Sequence, residues 1–174
     1  MPKPVVVVPY RAEWKDDFET IRQFLLPKIG DIALTIEHVG STSVEGLSAK
    51  PIIDIDIVIK DYEIFPAIVE RLADLGYLHE GDLGIPQREA FDYRGETSLP
   101  KHHLYVCPSF SEELHRHIAF REYLRSHPDA VREYSRVKEE GARLYPESID
   151  DYIRHKSPFI EEIYRKIGIS FSDN

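Results

Sequence analysis

Residues 52–59 constrain this chain more than any other segment. They form an apolar run rich in β-branched side chains, opened by Pro51 and interrupted only by Asp54 and Asp56. Such a run predicts a β-strand, in which side chains two residues apart share one face. We expect the isoleucines at 53, 55, 57 and 59 to face a core, with both aspartates on the opposite face.

Asp54 and Asp56 need a compensating charge if that opposite face is covered. Two ionised carboxylates beside a core cost several kcal/mol without one, and a divalent metal ion is a common solution. The strand rise of ~3.3 Å per residue separates their Cα atoms by roughly 6.6 Å. Both side chains can therefore share one ion or bracket a pair. The alternative is that both face water on a one-sided sheet.

A second apolar strand, predicted over about residues 32–39, runs into a turn with a hydroxyl cluster: Gly40, Ser41, Thr42 and Ser43. Glycine permits a tight turn, and the backbone amides that follow it can cradle a phosphate. Such a turn alone is an ordinary loop. About a dozen residues before an Asp-x-Asp strand it predicts a phosphate site, which Lys50 is placed to reach.

The pair formed by Gly40-Ser41 and Asp54-Ile55-Asp56 resembles the signature of the polymerase-β type of nucleotidyltransferase superfamily. The longer string at 38–54 is similar to the GrpB family of bacterial proteins, and the similarity extends downstream through 102–106, 120–128 and beyond. It includes Tyr134 with Lys138 and Tyr152 with Lys156. The resemblance implies an α/β (α+β) fold with a nucleotidyltransferase-like mixed β-sheet core, flanking helices and a helical C-terminal part.

We predict one domain over residues 1–174, with a sheet-containing core at 1–108 and a helical part at 109–174. Strands are expected at 5–8, 32–39, 52–59, 77–79, 91–93 and 102–107. Helices are expected to follow Trp14 and Asp61 in the core, and at 111–126, 129–144 and 149–167 in the helical part. Pro27 with Gly30 should end the first helix, and Pro158 should kink or divide the last.

The predicted strand at 102–107 lacks the third carboxylate that the resemblance leads one to expect there. If Leu104 and Val106 face the core, His103 and Tyr105 share the cleft face. His103 is then a candidate base or metal ligand, and the alternative is a hydrogen-bonded structural histidine. The missing acid leaves room for an inactive binding protein.

Basic residues of the helical part are candidates for contact with phosphates: Arg121, Arg125, Lys138 and Lys156. Because Arg121 and Arg125 are four residues apart on a helix, their guanidiniums can clamp one phosphate. The alternative is a solvated face that pairs with Glu122 or Asp129. We reject a zinc site at His115 and His117, since residues two apart on a helix diverge by about 200°.

Composition excludes several classes of function. Residues 1–100 carry a net charge of −8 and residues 101–174 one of −1, which argues against binding to long nucleic acid. The single cysteine fits a reducing compartment. We find no signal peptide and no apolar run approaching the ~20 residues of a membrane span. We therefore expect a cytoplasmic protein with no membrane partner.

The leading hypothesis is a metal-dependent transfer of a nucleoside monophosphate from a nucleoside triphosphate to a small-molecule acceptor. Asp54 and Asp56 would hold Mg²⁺ or Mn²⁺, and Gly40 and Ser41 would position the β and γ phosphates. The alternative is a nucleotide- or coenzyme-binding module without turnover. Some members of the resembling family look fused to dephospho-coenzyme A kinase, which hints at an adenine-containing coenzyme.

Overall fold

The computed structural model describes residues 3–169. Within them, five strands form one sheet: β1 (Thr35–Val39), β2 (Ile53–Ile59), β3 (Tyr77–Gly81), β4 (Glu89–Tyr93) and β5 (His102–Pro108). The same residues form five α-helices: α1 (Glu13–Ile29), α2 (Phe65–Asp74), α3 (Glu112–Ser126), α4 (Pro128–Leu144) and α5 (Ile149–Lys166). Short 3₁₀ helices occur at Ser41–Ser43 and Tyr62–Ile64. The predicted α/β class is confirmed.

The sheet is mixed, in the order β1-β2-β5-β4-β3. Strand β2 runs antiparallel to β1 and parallel to β5, and β4 runs antiparallel to both β5 and β3. In this register Asp54 lies between Val39 and His103, and Asp56 lies between Glu37 and Tyr105. The Asp-x-Asp pair therefore lies inside the sheet, on its second strand.

One face of the sheet carries the main hydrophobic core. The four odd-numbered isoleucines of β2 are at most 1% exposed, as their alternation predicts. Helix α1 covers them with Trp14, Ile21 and Leu25, and helix α2 adds Ile68 and Leu72. Burying each such side chain contributes roughly 1.5–3 kcal/mol. This core fixes the register of β2, because a slip by one residue would bury the aspartates in place of the isoleucines.

The opposite face, which carries the aspartates, is covered by the helical part of the chain. Val58 and Cys107 pack there against Leu114 of α3. Farther along, Val44 and Leu47 share a buried cluster with residues of α3 and α4. The sheet is thus covered on both faces near the Asp-x-Asp pair.

Serine side chains cap the N-termini of two helices. The Ser111 side chain accepts a hydrogen bond from the backbone N–H of Leu114 at the start of α3, and Ser148 accepts one from Asp151 at the start of α5. Each bond satisfies a backbone donor that the first helical turn leaves free. No helix in the described part of the chain is long and apolar enough to cross a bilayer.

One local prediction is wrong, and two are wrong in part. Residues 5–8 form no strand, because prolines flank them and the N–H of Val5 bonds to the carbonyl of Pro146; only a single bridge joins Val8 to Ala49. Helix α1 includes Pro27 and ends at Ile29, so Gly30 ends it as predicted and Pro27 does not. Helix α5 runs undivided through Pro158, so the predicted division is wrong and a kink there stays a prediction. A proline removes only one helical hydrogen-bond donor, so flanking turns that are capped and packed keep the helix whole.

Candidate functional site

Gly40 brings the turn after β1 directly against Asp54. Its φ of 72° lies in the left-handed region that favours glycine. A Cβ atom at this position would collide with the Asp54 carboxylate. The Ser43 hydroxyl donates to the Gly40 carbonyl at 2.5 Å and closes the turn. The glycine therefore permits a close approach between the turn and the first aspartate.

Thr42 and Ser43 stabilise this turn from inside. The Thr42 hydroxyl lies 2.9 Å from Nε2 of His38, whose ring stacks on Phe18. Burial lowers the pKa of His38 to about 4, with the Arg125 charge acting in the same direction, so the imidazole is neutral. Because both hydroxyls have internal partners, phosphate binding by Thr42 and Ser43 stays a prediction.

Three lysines line one cavity together with Ser41. Lys138 of α4 is 3% exposed, and its Nζ donates to the Ser41 hydroxyl at 2.5 Å. Lys50 and Lys156 lie over the ring of the buried Tyr152, 5.9 and 5.1 Å from its centroid. A cavity of about 160 Å³ is lined by all three lysines together with Ser41, Asp54 and His103. We call it the lysine cavity.

The lysine cavity has an excess of positive charge. Burial lowers the pKa of Lys138 well below its usual range, and the ammonium groups of Lys156 and Lys50 lower it further. Burial and Lys50 lower the pKa of Lys156 to about 8. No carboxylate forms an ion pair with these lysines within residues 3–169. Buried cations of this kind are stabilised by an anionic ligand.

Helix α4 also positions the loop that carries Lys50. The Ser48 backbone N–H donates to the Ser135 hydroxyl at 3.0 Å, and the Ser48 hydroxyl donates to Glu139 at 2.6 Å. These bonds tie the loop between the phosphate turn and β2 to the helix that holds Lys138. Two lysines far apart in sequence are thereby held around one cavity.

Asp54 and Asp56 have different environments. The Asp54 side chain is 32% exposed, and its Oδ1 lies 3.0 Å from Nδ1 of His103, which is 51% exposed. Asp56 is fully buried, and its Oδ2 lies 2.7 Å from Nδ1 of His117. The interpretation in which both aspartates face water is therefore wrong for Asp56. Its second oxygen, Oδ1, is buried without a hydrogen-bond partner.

His117 is a residue that sequence reasoning missed. Its Nε2 lies 3.1 Å from Glu113, so the imidazole joins two carboxylates. Burial lowers its pKa, but hydrogen bonds to Asp56 and Glu113 outweigh burial and raise it to about 10. His115 is exposed on another side of α3, in agreement with the rejected zinc pair. One feature of the sequence could have indicated this contact: Glu113 and His117 are four residues apart, which places them on the same side of a helix.

The donor set fits a metal ion that arrives with a phosphate ligand. No group of three or more His, Cys, Asp or Glu residues is arranged to hold a metal ion in the region 3–169. The free Oδ1 of Asp56 and the partly exposed Asp54 nevertheless present two carboxylates. Mg²⁺ is commonly bound by one or two carboxylates plus substrate phosphates, so the residues fit Mg²⁺ or Mn²⁺ in that form.

Arg121 and Arg125 connect α3 to the phosphate turn. Arg121 donates to Glu37 and to the His38 carbonyl, both at 2.9 Å. Arg125 donates twice to the Ser43 carbonyl, at 2.8 and 3.1 Å. Both guanidiniums also contact Glu122, as the solvated alternative expects. Since they are engaged with protein groups, a phosphate clamp formed by the two arginines stays a prediction.

A second cavity, of about 270 Å³, adjoins the first. The two cavities share Ser41, Asp54 and Lys156. Aromatic and aliphatic side chains form much of the second wall: Phe120, Leu124, Tyr134, Ile160 and Tyr164. We call it the aromatic cavity. A ligand that passes Asp54 can thus place a charged end among lysines and an uncharged ring among aromatic groups.

Solved structures of similar fold include a GrpB protein and a nucleotidyltransferase. The crystal structure of conserved protein GrpB from Enterococcus faecalis is similar with a TM-score of 0.80 and 33% identity, covering 92% of this chain and 96% of that one. Terminal uridylyl transferase 4 from Trypanosoma brucei, described with bound CTP, matches at a TM-score of 0.51 and 11% identity, over 91% of this chain and 52% of that one. The second match concerns the fold alone.

Sequence relatives differ in length. The glutamate-rich protein GrpB of Alkalihalophilus pseudofirmus is 33% identical over 94% of this chain and 95% of its own. The protein YqkA of Bacillus subtilis is 32% identical over 91% of this chain, which spans 46% of it. A dephospho-CoA kinase of Mycolicibacterium paratuberculosis is 27% identical over 94% of this chain, again 46% of the relative. The family model of the GrpB protein matches residues 4–166, and the chain therefore belongs to the GrpB family.

Proposed function

We propose that this chain binds a nucleoside triphosphate with Mg²⁺ or Mn²⁺ and transfers its nucleoside monophosphate to a small-molecule acceptor. The observation that carries the proposal is that Lys50, Lys138 and Lys156 line one cavity with Ser41 and Asp54, with Lys138 in contact with Ser41. Asp54 is one carboxylate among three lysines, and a triphosphate would supply the remaining negative charge. The nucleotidyltransferase-like fold supports the assignment.

The two cavities suit the two ends of a nucleotide. The lysine cavity, at about 160 Å³, accommodates phosphates, and Ser41 with the Gly40 turn orients them. The aromatic cavity, at about 270 Å³, accommodates a nucleoside against the wall that Phe120 and Tyr134 form, where the two rings contact each other edge to face. Ligand sites of this kind combine apolar walls with a few placed polar groups. With the phosphates in the lysine cavity and the nucleoside in the aromatic cavity, the α-phosphate would lie beside Asp54, which lines both.

Asp54 and Asp56 are the residues that would hold the metal ion. When bound, the ion neutralises charge on the phosphates and stabilises the departing pyrophosphate. The lysines contribute to the same stabilisation from the other side of the phosphate chain. Because Asp56 already pairs with His117, its Oδ1 is the oxygen left for the ion.

His103 is placed to accept the acceptor's proton. Its Nδ1 donates to Asp54, so Nε2 carries the free lone pair. In the transfer step the acceptor oxygen bonds to the α-phosphorus while the bond to the bridging oxygen of pyrophosphate breaks. Pyrophosphate leaves with that electron pair, and the acceptor's proton passes to His103 Nε2. The half-exposed ring lies on the side from which an acceptor has access.

The test is a transfer assay with the wild-type chain. Each α-³²P-labelled nucleoside triphosphate is incubated with Mg²⁺ or Mn²⁺ and a pool of cell-extract metabolites. We expect release of pyrophosphate and label on an acceptor, both lost in Asp54→Asn and His103→Gln. The exposed Asp150→Asn on α5 serves as the matched control. Equal label transfer by wild type and Asp54→Asn would remove the proposed role of the carboxylate.

A second candidate is a nucleotide- or coenzyme-binding module without turnover. The observation that favours it is the Asp56–His117 pair, because His117 places a positive charge where catalysis needs a metal ion. Strand β5 also carries no acid. The similarity to a dephospho-CoA kinase supports an adenine-containing coenzyme as the ligand. Binding of ATP or coenzyme A without pyrophosphate release or labelled product from any donor favours this candidate.

A further inference from the structure

Arg88 is a cation near the aspartates that the proposed function leaves unused. Its guanidinium carbon lies 4.2 Å from the centroid of the Tyr105 ring. Among the described residues, no carboxylate or hydrogen-bond acceptor partners this guanidinium, and its Nε is buried without a partner. Stacking on an aromatic ring holds a guanidinium in one plane while leaving its other donors directed outward.

Strand register places Arg88 on the same face of the sheet as the aspartates. Tyr105 pairs with Asp56 on one side and with Ala90 on the other. Arg88 immediately precedes β4, and its guanidinium lies over the Tyr105 ring, so it lies on that face. Strands β2 and β4 are two strand spacings apart, or ~9.6 Å. Arg88 is also displaced along the strands, because Asp54 pairs with His103 whereas Glu89 pairs with Val106. A small molecule that extends from Asp54 to Tyr105 would reach the guanidinium.

The lysine cavity and Arg88 lie at opposite ends of the aspartate pair. The cavity is lined by Ile52, Asp54 and His103, at the start of the parallel strands β2 and β5. Arg88 lies toward the far end of β5, where Glu89 pairs with Val106. In an in-line displacement the leaving and attacking oxygens are on opposite sides of phosphorus. With pyrophosphate among the lysines, the acceptor therefore approaches from the Tyr105 side of Asp54. His103 lines the lysine cavity and its ring centroid lies 6.4 Å from that of Tyr105, so it borders both sides.

We infer that Arg88, held by Tyr105, binds an anionic group of the acceptor, and that the acceptor is a small alcohol carrying a carboxylate or a phosphate. This inference rests on the proposed function, because it assigns the second substrate of the same site. A planar guanidinium forms paired hydrogen bonds with either anion. Burial raises the pKa of the Tyr105 hydroxyl, and Glu80 of β3 lies close enough to raise it further. The Glu80 carboxylate would repel an acceptor that carries further negative charge beyond the group bound by Arg88.

Calorimetry can test the inference with defined probes. Wild-type chain saturated with a non-hydrolysable ATP analogue and Mg²⁺ is titrated with glycerate, glycerol 3-phosphate and glycerol. We expect one of the two anions to bind and glycerol not to bind. Arg88→Gln should weaken anion binding about tenfold or more, with nucleotide affinity unchanged. The arms with glycerate and glycerol 3-phosphate distinguish a carboxylate from a phosphate.

Two further variants keep the result interpretable. Arg94→Gln, which removes an exposed arginine just after β4 that is paired with Asp92, should leave anion binding unchanged. Arg88→Lys retains the charge but not the planar stacking, and should bind the anion with intermediate affinity. Equal anion affinity in wild type and Arg88→Gln, or no anion binding by wild type, would overturn the inference. If the nucleotide analogue itself fails to bind, the proposed function fails, and titration of the free chain still tests Arg88.

Discussion

Nδ1 of His117 lies 2.7 Å from Oδ2 of Asp56, inside the helix-covered face of the sheet. The other ring nitrogen contacts Glu113 of the same helix. The contact between His117 and Asp56 therefore connects α3 to the centre of β2 through a charged pair and not through apolar side chains. Removing one member of a buried pair leaves the other as an uncompensated charge, which is strongly destabilising.

The two aspartates should therefore respond differently to the same substitution. We expect Asp56→Asn to lower the free energy of unfolding by about 3 kcal/mol, because it leaves His117 without its buried partner. Asp54→Asn should change stability little, since Asp54 is 32% exposed. Urea unfolding measures both values. Asp54→Asn should instead abolish the rise in melting temperature produced by Mg²⁺ with a nucleotide; a rise equal to that of wild type would contradict the metal site.

The stability supplied by His117 should depend on pH. Its folded-state pKa is raised from 6.5 to about 10, so its contribution is full below pH 6.5 and is lost as pH rises toward 10. The hydrogen bond from His117 lowers the pKa of Glu113 from 4.5 to about 2, so that contribution is present above pH 4.5 and is lost toward pH 2. The difference in unfolding free energy between wild type and His117→Gln should be largest near about pH 5–6.

The exposed neighbour His115 provides the control for that measurement. The same measurement on His115→Gln reports the effect of removing an exposed histidine from the same helix. A constant difference for His117→Gln between about pH 5 and pH 9 would show that folding does not shift the pKa of His117. The proposed electrostatic tie between α3 and β2 would then be wrong.

The sequence predicted the parts of the site that lie close together along the chain. The alternation in 52–59 predicted strand β2 and the common face of its aspartates, because a strand repeats every two residues. Gly40 predicted the turn for a similarly local reason. The strand expected at 5–8 did not form. A run of valines does not show whether another strand is available to pair with it. Prolines near it and an acceptor at Pro146 decided the outcome.

The rest of the site depends on contacts between residues far apart in the sequence, which no local pattern predicts. Lys138 and Lys156 were predicted as ligand contacts, but nothing in their helices showed that both would meet at Ser41. His117 was dismissed with His115 because their spacing on one helix carries no information about a facing strand. Its partner Asp56 is 61 residues earlier in the chain. The structure joins them because α3 packs over β2, which only the folded topology shows.

Gly40 can be tested against a glycine with similar backbone geometry. Gly40→Ala should both unfold the turn locally and eliminate nucleotide binding, because its Cβ would collide with Asp54. Gly84 has φ of +85°, and a Cβ added there would meet no atom within 4 Å. Gly84→Ala therefore reports backbone strain alone, about 1 kcal/mol. Thermal unfolding and nucleotide titration of both variants separate the collision from the strain; unchanged binding by Gly40→Ala would contradict the close approach.

Lys138 should contribute to binding at a cost in stability. Burial and the neighbouring lysines hold its pKa well below the usual range, so the folded chain gains stability when this charge is removed. We expect Lys138→Met to raise the free energy of unfolding by about 1 kcal/mol and to abolish binding of inorganic triphosphate. The exposed Arg136→Gln on α4 is the control and should change neither quantity.

Proton uptake gives an independent measurement of the same lysine cavity. A bound triphosphate favours the charged form of each lysine, so binding should raise the pKa of Lys138 and of Lys156, which is about 8 in the free chain. Calorimetric titration of triphosphate at about pH 8 in buffers with different ionisation enthalpies measures the protons taken up. We expect proton uptake by wild type and no binding heat for Lys138→Met. Triphosphate binding without any proton uptake at this pH would place the phosphates outside the lysine cavity.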